Sequence, residues 1–333
     1  MSEGDVTLRD IWLARRRLGQ FVRKTPLVPS LELSRRTGKR VFLKLENLQP
    51  EGSFKIRGAA NRMLQLTEEE RRRGVICFST GNHGRAVAYV ARQLGIPAVV
   101  CLSRRVPPHR REAIERLGAE LAVVGESQDE AEEVAWLRQR REGLTMIDPF
   151  DDAAVIAGQG TIGLELLEEL PEIGTVLVPL SGGGLLSGIA LALKSADPAI
   201  HVVGVSMERG AVMVRSQRAG APLAMEEEET VADALCGGIG LQNRFTFRMV
   251  RDLSDELLLV TEAEIWDAMT FALEHHHLAI EGAGAVGVAP LLRADPSALV
   301  GDIVVIVSGS NVDPHLLHRL VLSSGKGAET KSQ

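Results

Sequence analysis

The sequence predicts an α/β protein of two closely joined lobes, each a mainly parallel sheet flanked by helices. Three observations carry that expectation. A chain of 333 residues is too long for one ordinary small domain. From residue 75 onward, short apolar strand-like runs alternate with amphipathic segments, the rhythm of parallel strands covered on both faces. Glycine supplies 33 residues and apolar types 45%, a soluble globular composition with many tight strand-to-helix turns.

The net charge of −6 argues against a nucleic-acid binder, which needs a basic face for phosphates. Cys77, Cys101 and Cys236 are scattered without C-x-x-C spacing and read as the reduced thiols of a cytoplasmic protein. The start, Met1-Ser2-Glu3-Gly4-Asp5, lacks the basic-then-apolar order of a signal peptide. Apolar runs such as Leu257-Leu258-Leu259-Val260 are strand-sized, too short to span a bilayer. Neither export nor membrane insertion is expected.

Taken in order, Ile11, Leu13, Ala14, Leu18 and Phe21 have helical spacing, with Arg15, Arg16 and Arg17 on the wet side and Pro26 as the stop. Residues 40–45 read as a strand, 57–66 as a helix, and Thr67-Glu68-Glu69-Glu70 as the start of another. Arg71-Arg72-Arg73 beside those acids is a solvated face rather than a phosphate site. Strands at 75–78, 98–102 and 120–124 alternate with helices at 84–94, 108–117 and 127–141. That block, 75–151, is the expected small domain. The large domain combines 1–74 with 152–324, its second series being a helix at 162–170, a strand at 175–178, a helix at 185–194 and strands at 201–205 and 303–307. Residues 325–333 are polar and small, and read as a disordered tail. No internal repeat or ligand-sensing segment is found, which suits a catabolic rather than a feedback-controlled role.

Chemistry concentrates in four segments. In Glu51-Gly52-Ser53-Phe54-Lys55-Ile56-Arg57-Gly58-Ala59 one lysine sits in a short apolar stretch. Desolvation there would lower its pKa and free the amine to condense with a carbonyl. On its own, Lys55 is better read as a helix-start lysine whose stem covers apolar surface. Ser181-Gly182-Gly183-Gly184-Leu185 joins a strand to a helix, and its glycines let several backbone N–H groups converge on an anion at the helix N-terminus. A merely tight turn needs one or two glycines, and no Gly-Lys-Ser/Thr follows, so this is a phosphate cup but not a P-loop. Ser79-Thr80-Gly81-Asn82-His83-Gly84 lies between strand and helix, where ligands of open α/β sheets collect, although ordinary capping by Ser79 or Asn82 is the plain alternative. Ser308-Gly309-Ser310-Asn311 has the same placement after the last strand.

Two signals are discounted. Gly282-Ala283-Gly284-Ala285-Val286-Gly287 fits G-x-G-x-x-G but follows no strand, only His275-His276-His277-Leu278-Ala279-Ile280. Three adjacent histidines on a helix point about 100° apart and cannot share one ion, so they read as a solvated helix end.

Together, in this order, Ser53-Phe54-Lys55 with Arg57-Gly58, Ser79-Thr80-Gly81-Asn82-His83, Ser181-Gly182-Gly183-Gly184 and Ser308-Gly309-Ser310-Asn311 resemble the fold-type II pyridoxal-phosphate enzymes of the threonine dehydratase and serine racemase group. The resemblance runs from about Lys24 to Leu320. Ala232-Asp233-Ala234-Leu235, Gly237-Gly238-Ile239-Gly240-Leu241 and Glu281 to Gly287 look most like the dehydratases of hydroxyectoine utilisation. The resemblance implies a tryptophan synthase β-like fold, pyridoxal 5′-phosphate as cofactor and a homodimer. It implies that Lys55 holds the cofactor covalently and removes the substrate α-proton, with Phe54 against the pyridine ring. Asn82 would bond the ring 3′-oxygen, Gly182, Gly183, Gly184 and Leu185 the phosphate, and Ser308 the pyridine nitrogen. Ser79, Thr80, Gly81, Asn82 and His83 would hold the substrate carboxylate. Racemases of the group place a serine at Thr80 as a second acid/base, so the threonine weakens racemisation without removing it. Ser181 replaces the first glycine of a usual four-glycine loop, and Ala234 a common glycine near the cofactor. Ser206 and Val212 stand at two positions where metal-binding relatives carry ligands, so no divalent ion is expected there.

The implied activity is an ammonia-lyase eliminating the β-hydroxyl of a small hydroxy amino acid or of a hydroxyectoine-catabolism intermediate. The alternatives are an amino-acid racemase and, in another class, a non-catalytic cofactor-binding sensor. Arg104 and Arg105 are further candidates for substrate specificity.

Overall fold

The computed structural model describes residues 5–79, 81–293 and 299–329. Helix α1 (Leu8–Leu18) leads to strand β1 (Leu27–Pro29), α2 (Leu31–Thr37), β2 (Val41–Leu45), α3 (Lys55–Met63) and α4 (Glu68–Arg73). Next come β3 (Val75–Phe78), α5 (Asn82–Leu94), β4 (Ala98–Leu102), α6 (Pro108–Glu115), β5 (Glu120–Val123), α7 (Gln128–Glu142) and β6 (Thr145–Met146). The second series is α8 (Ala153–Glu169), β7 (Ile173–Pro179), α9 (Gly184–Ala196), β8 (His201–Met207), α10 (Val212–Ala219), α11 (Thr246–Leu253), β9 (Glu256–Val260) and α12 (Glu262–His276). Short helices α13 (Gly282–Ala285) and α14 (Ala289–Leu292), strand β10 (Asp302–Val307) and helix α15 (Pro314–Glu329) complete it.

Two sheets result. One has the order β1-β2-β10-β7-β8-β9, with only β1 antiparallel, and the other is the parallel β5-β4-β3-β6. The central strands read as continuous Val, Ile and Leu because helices cover both faces: every residue of β3 and β4 is buried. Parallel strands β3, β7 and β10 end on the same kind of edge, and the loops that leave them carry Ser79, Ser181 and Ser308.

Several elements differ from the sequence reading. Helix α8 begins at Ala153, not 162, because Asp152 caps it through the amides of Ala154 and Val155 at 2.7 and 2.9 Å. Gly158 and Gly160 made that first half look unlike helix, yet they are what lets it pack. A Cβ on Gly158 would lie 2.5 Å from the Arg57 carbonyl of α3, and one on Gly160 would lie 2.8 Å from the Gly188 carbonyl of α9. Backbone meets backbone on both sides of α8. Strands β1, β6 and β9 are additional; Leu257, Leu258 and Leu259 are only half-buried because β9 is a sheet edge. Of the expected tail, the backbone of 325–329 lies in α15 and 330–333 lie outside the described residues.

The core around the four-stranded sheet is not made by 75–151 alone. Ile56, Ala59, Ala60 and Met63 of α3 join Val75, Cys77, Val87, Val90 and Val100 in one cluster. Truncating a fully buried Ile56 or Met63 to alanine would cost about 2–5 kcal/mol. Helix α3 thus belongs by packing to both lobes, and Lys55 starts it.

What holds that start is ionic. Arg57 is fully buried, and each of its five N–H donors meets an acceptor. Nε and NH2 reach Glu46 at 2.8 and 2.7 Å; NH1 and NH2 reach Glu165 at 2.7 and 3.0 Å; Thr161 Oγ1 and the Arg23 carbonyl complete the set. Lys44, also fully buried, bonds Glu165 and Glu169 at 2.9 Å and the Thr25 carbonyl at 2.7 Å. Arg57 holds the Glu46 carboxyl below its ordinary pKa against the opposing pull of burial.

Candidate active site

Lys55 and Phe54, on the approach to α3, line one cavity together with Ser79, Asn82, His83, the glycine loop from Ser181 to Leu185, Ala234 and Ser308. Gly81 is not among the residues of this wall, and Thr80 lies outside the described residues. Four segments distant in sequence converge on one volume.

The lysine Nζ donates to the Pro149 carbonyl at 2.8 Å and stands 5.3 Å from the centre of the Phe54 ring. Burial lowers its pKa to about 8, partly countered by the negative charge of Asp148. A substantial fraction of this amine is therefore neutral near physiological pH, unlike that of an exposed lysine.

The glycine loop makes a cradle. A Cβ on Gly182 would lie 2.3 Å from Cγ of Phe150, and one on Gly184 would lie 2.8 Å from the Phe150 carbonyl oxygen. Gly183 has φ 89°, a left-handed conformation that disfavours side chains. The first turn of α9 begins here, so its leading amides have no acceptor within the helix and face the cavity at the positive end of the dipole. Ser181 leaves this intact: its Oγ turns away and donates to the Leu235 carbonyl at 2.8 Å. Gly184→Ala is expected to weaken pyridoxal phosphate uptake at least tenfold and to lower stability by about 1–3 kcal/mol, because its new methyl meets backbone that no rotamer change can clear. Titration by absorbance and a urea midpoint would check both; unchanged uptake would remove the cup from the site.

The loop after β3 is held from inside. Ser79 Oγ accepts from the amides of Gly81 and Gly84 at 2.9 and 2.8 Å, which ties the loop to the first turn of α5. Gln128, with its carboxamide turned to suit its neighbours, pairs with the Ser79 N–H and carbonyl, each at 3.2 Å. His83 Nε2 lies 2.8 Å from the Ile147 carbonyl, which places the ring proton on Nε2. Its buried Nδ1 has no partner among the described residues, and burial beside the Lys55 ammonium pushes the ring pKa down to about 3.

Asn82 is oriented by a chain of hydrogen bonds across the lobes. Arg85 donates to Asn311 Oδ1 at 2.7 Å, Asn311 Nδ2 donates to Asn82 Oδ1 at 2.6 Å, and Asn82 Nδ2 donates to Glu281 Oε1 at 2.6 Å. One amide hydrogen of Asn82 is left for an oxygen in the cavity. Burial pushes the Glu281 carboxyl up to about 7. Ser308 Oγ makes only a long bond, 3.4 Å, to the Ala283 carbonyl.

Sequence reasoning missed Asp148, Pro149, Phe150 and Gln128, which carry no motif and act through turn geometry. Glu281 carries no signal of its own in the sequence. The cavity wall includes neither Arg104 nor Arg105; Arg104 is exposed and pairs with Glu126. The three histidines include one with a partner: His276 Nε2 lies 2.9 Å from Ser30 Oγ. Gly282 opens the short helix α13, and Gly284 packs on the Gly309 carbonyl, where a Cβ would come within 2.5 Å. Ser206 is buried and Val212 opens α10; among the described residues no group of three or more His, Cys, Asp or Glu could hold a metal ion.

A glycine loop packed too closely on Phe150 to take side chains, with the leading amides of α9 at the cavity, a lysine amine poised at about pKa 8, and a neutral hydroxyl at the end of β10 fit pyridoxal phosphate. Fold and site define a two-lobed fold-type II enzyme of this cofactor. The chain belongs to the pyridoxal-phosphate dependent enzyme family, which matches residues 18–309. A protein of Sinorhizobium fredii, provisionally named a threonine dehydratase, is 46% identical over 319 residues, 96% of each chain. The L-threonine ammonia-lyase of Thermotoga maritima is 42% identical over 95% of this chain and 78% of its own. Among solved structures, maize serine racemase superposes with a TM-score of 0.88 at 35% identity, covering 98% of this chain and all (100%) of that one.

Proposed function

We propose that this carbon–nitrogen lyase eliminates the β-hydroxyl of a small hydroxy amino acid, L-threonine or L-serine, releasing a 2-oxo acid and ammonia. The observation that carries the reading is the Lys55 amine, pKa about 8, on the wall shared with the glycine cup. Bound pyridoxal phosphate supplies the electron sink for the carbanion chemistry. The chain supplies everything else. Lys55 anchors the cofactor and, when freed, takes the α-proton as a neutral base. Amides at the start of α5, those of Asn82 and His83, receive the substrate carboxylate, since the Ser79 and Gly81 amides are already bonded to the Cys101 carbonyl and to Ser79 Oγ, and amides of Gly182, Gly183, Gly184 and Leu185 receive the phosphate. Asn82 faces the ring oxygen. Ser308, being neutral, does not force a proton onto the ring nitrogen, which favours elimination over transamination.

Relatives named for threonine deamination support this substrate class. A hydroxyectoine-derived hydroxy amino acid is the narrower possibility to assay beside them. The similarity to a serine racemase favours racemisation as the second reading, with Thr80 as its other proton carrier. We further assign a homodimer acting in the cytoplasm; exposed Leu31, Leu241, Val321 and Leu322 offer apolar surface for a second copy. Among the described residues, no helix is long and apolar enough to cross a membrane.

The test is keto-acid and ammonia release from L-threonine, L-serine and hydroxyectoine-derived amino acids. Stoichiometric release from the first two is expected. Retained amino groups with a scrambled α-centre would move the assignment to a racemase, and no turnover of any amino acid would move it to a sensor.

A further inference from the structure

The short segment between β6 and α8 touches Lys55, His83 and the glycine cup, although it carries none of the motif residues. Asp148 Oδ1 accepts from the amides of Phe150 and Asp151 at 2.9 and 2.7 Å, closing a turn on itself. That turn presents the Pro149 carbonyl to Lys55 Nζ at 2.8 Å and lays Phe150 against Gly182 and Gly184 of the cup. Asp151 then caps α11 by accepting from Arg244, Phe245 and Thr246 at 2.6, 2.9 and 2.9 Å, and Thr246 packs beside Gly183. One side chain, Asp148, sets the shape from which the other contacts follow.

We propose that Asp148 is the positioning residue for Lys55: its turn aims the Pro149 carbonyl at the amine, and its charge sets how readily that amine gives up a proton. The proposal rests on the assignment of Lys55 as the cofactor lysine. The carbonyl parks the free amine on the cavity wall beside the cup, where it must wait whenever it is not joined to the cofactor. The carboxylate beside it favours the ammonium form and so opposes the lowering of pKa by burial. The other titratable group facing Lys55 is His83 of α5, which stays neutral across the relevant range. Burial holds the Asp148 carboxyl up at about 7 against the amides of Phe150 and Asp151 that bond it, with a smaller push from the charges of Asp151 and, from α7, Glu132.

The experiment compares the full-length chain with Asp148→Asn, Asp148→Ala and Lys55→Ala, each stripped of cofactor, by the rate of pyridoxal phosphate uptake against pH. Asparagine keeps an oxygen that can accept the two amides but loses the charge. It should take up cofactor within about threefold of wild type at high pH, with the uptake midpoint moved to lower pH. Alanine loses the turn as well and should slow uptake at least tenfold at every pH. Wild-type rate and midpoint in both Asp148 variants would overturn the proposal. If the alanine variant does not fold, an unmoved midpoint in the asparagine variant overturns it alone, since a merely structural role would not move it. Unimpaired covalent uptake by Lys55→Ala would instead overturn the lysine assignment, a separable outcome.

Discussion

Lys55→Ala is expected to abolish covalent retention of the cofactor and to reduce 2-oxo acid release from L-threonine by at least roughly 10⁴-fold, because it removes both the attachment point and the proton acceptor. Three readouts separate these losses. Borohydride treatment should tag the wild-type chain at Lys55 and leave the variant untagged. The glycine cup is untouched by the substitution, so pyridoxal phosphate should still bind, but dialysis should remove it. Lys55→Arg should be as inactive as alanine, since a guanidinium stays protonated and cannot act as nucleophile or base. A variant that kept its colour through dialysis and turned over at the wild-type rate would displace Lys55 from the mechanism altogether.

Arg57→Met is expected to lower the stability of the chain by about 3–5 kcal/mol, read as a fall in the urea midpoint. The loss does not come from the pairing energy itself. Glu46 is fully buried, and without Arg57 its charge would depend on Lys44, the Thr25 hydroxyl and a long bond from Gln49. Pairing Arg57→Met with Glu46→Gln should recover part of the loss, because the stranded charge is removed. The pH dependence has a definite sign. In the wild type, Glu46 titrates below its ordinary value, so its contribution is present above the ordinary carboxylate range and is lost as pH falls through the depressed value. In Arg57→Met, burial dominates and raises the Glu46 pKa, so the penalty should shrink as pH falls from neutral toward about 4. A single variant with a wild-type midpoint at pH 8 would show that the network is not what anchors α3.

The parts of the site legible in sequence were those made of backbone-permissive or chemically singular residues. Gly182, Gly183 and Gly184 stand out because a phosphate needs converging amides with no side chain in the way. Lys55 stands out because a lysine two residues from Arg57 and flanked by Phe54 and Ile56 is out of place in an apolar stretch. Asp148 does not stand out: in Asp148-Pro149-Phe150-Asp151-Asp152 the aspartates read as loop polarity, and only the fold shows Asp148 closing a turn while Asp151 and Asp152 cap two different helices. Likewise the strand rhythm located β3, β4, β5, β7, β8 and β10. It passed over β1 and β6, which are three and two residues long, too short for a periodicity to register. The first half of α8 was lost to its own glycines, because propensity sees an entropic cost where packing sees a contact surface.

Those glycines have a further consequence. Helix α8 meets α3, which bears the lysine, through Gly158, and meets α9, which bears the cup, through Gly160 and Gly188. The spacing between the two ends of the cofactor site is therefore set by rigid peptide planes rather than by side chains that can change rotamer. The three helices work as a caliper whose jaws are the Lys55 amine and the α9 N-terminus, closed to a fixed gauge. A ligand must match that gauge at both ends, so an aldehyde lacking the distal phosphate would reach one jaw and leave the other without a grip.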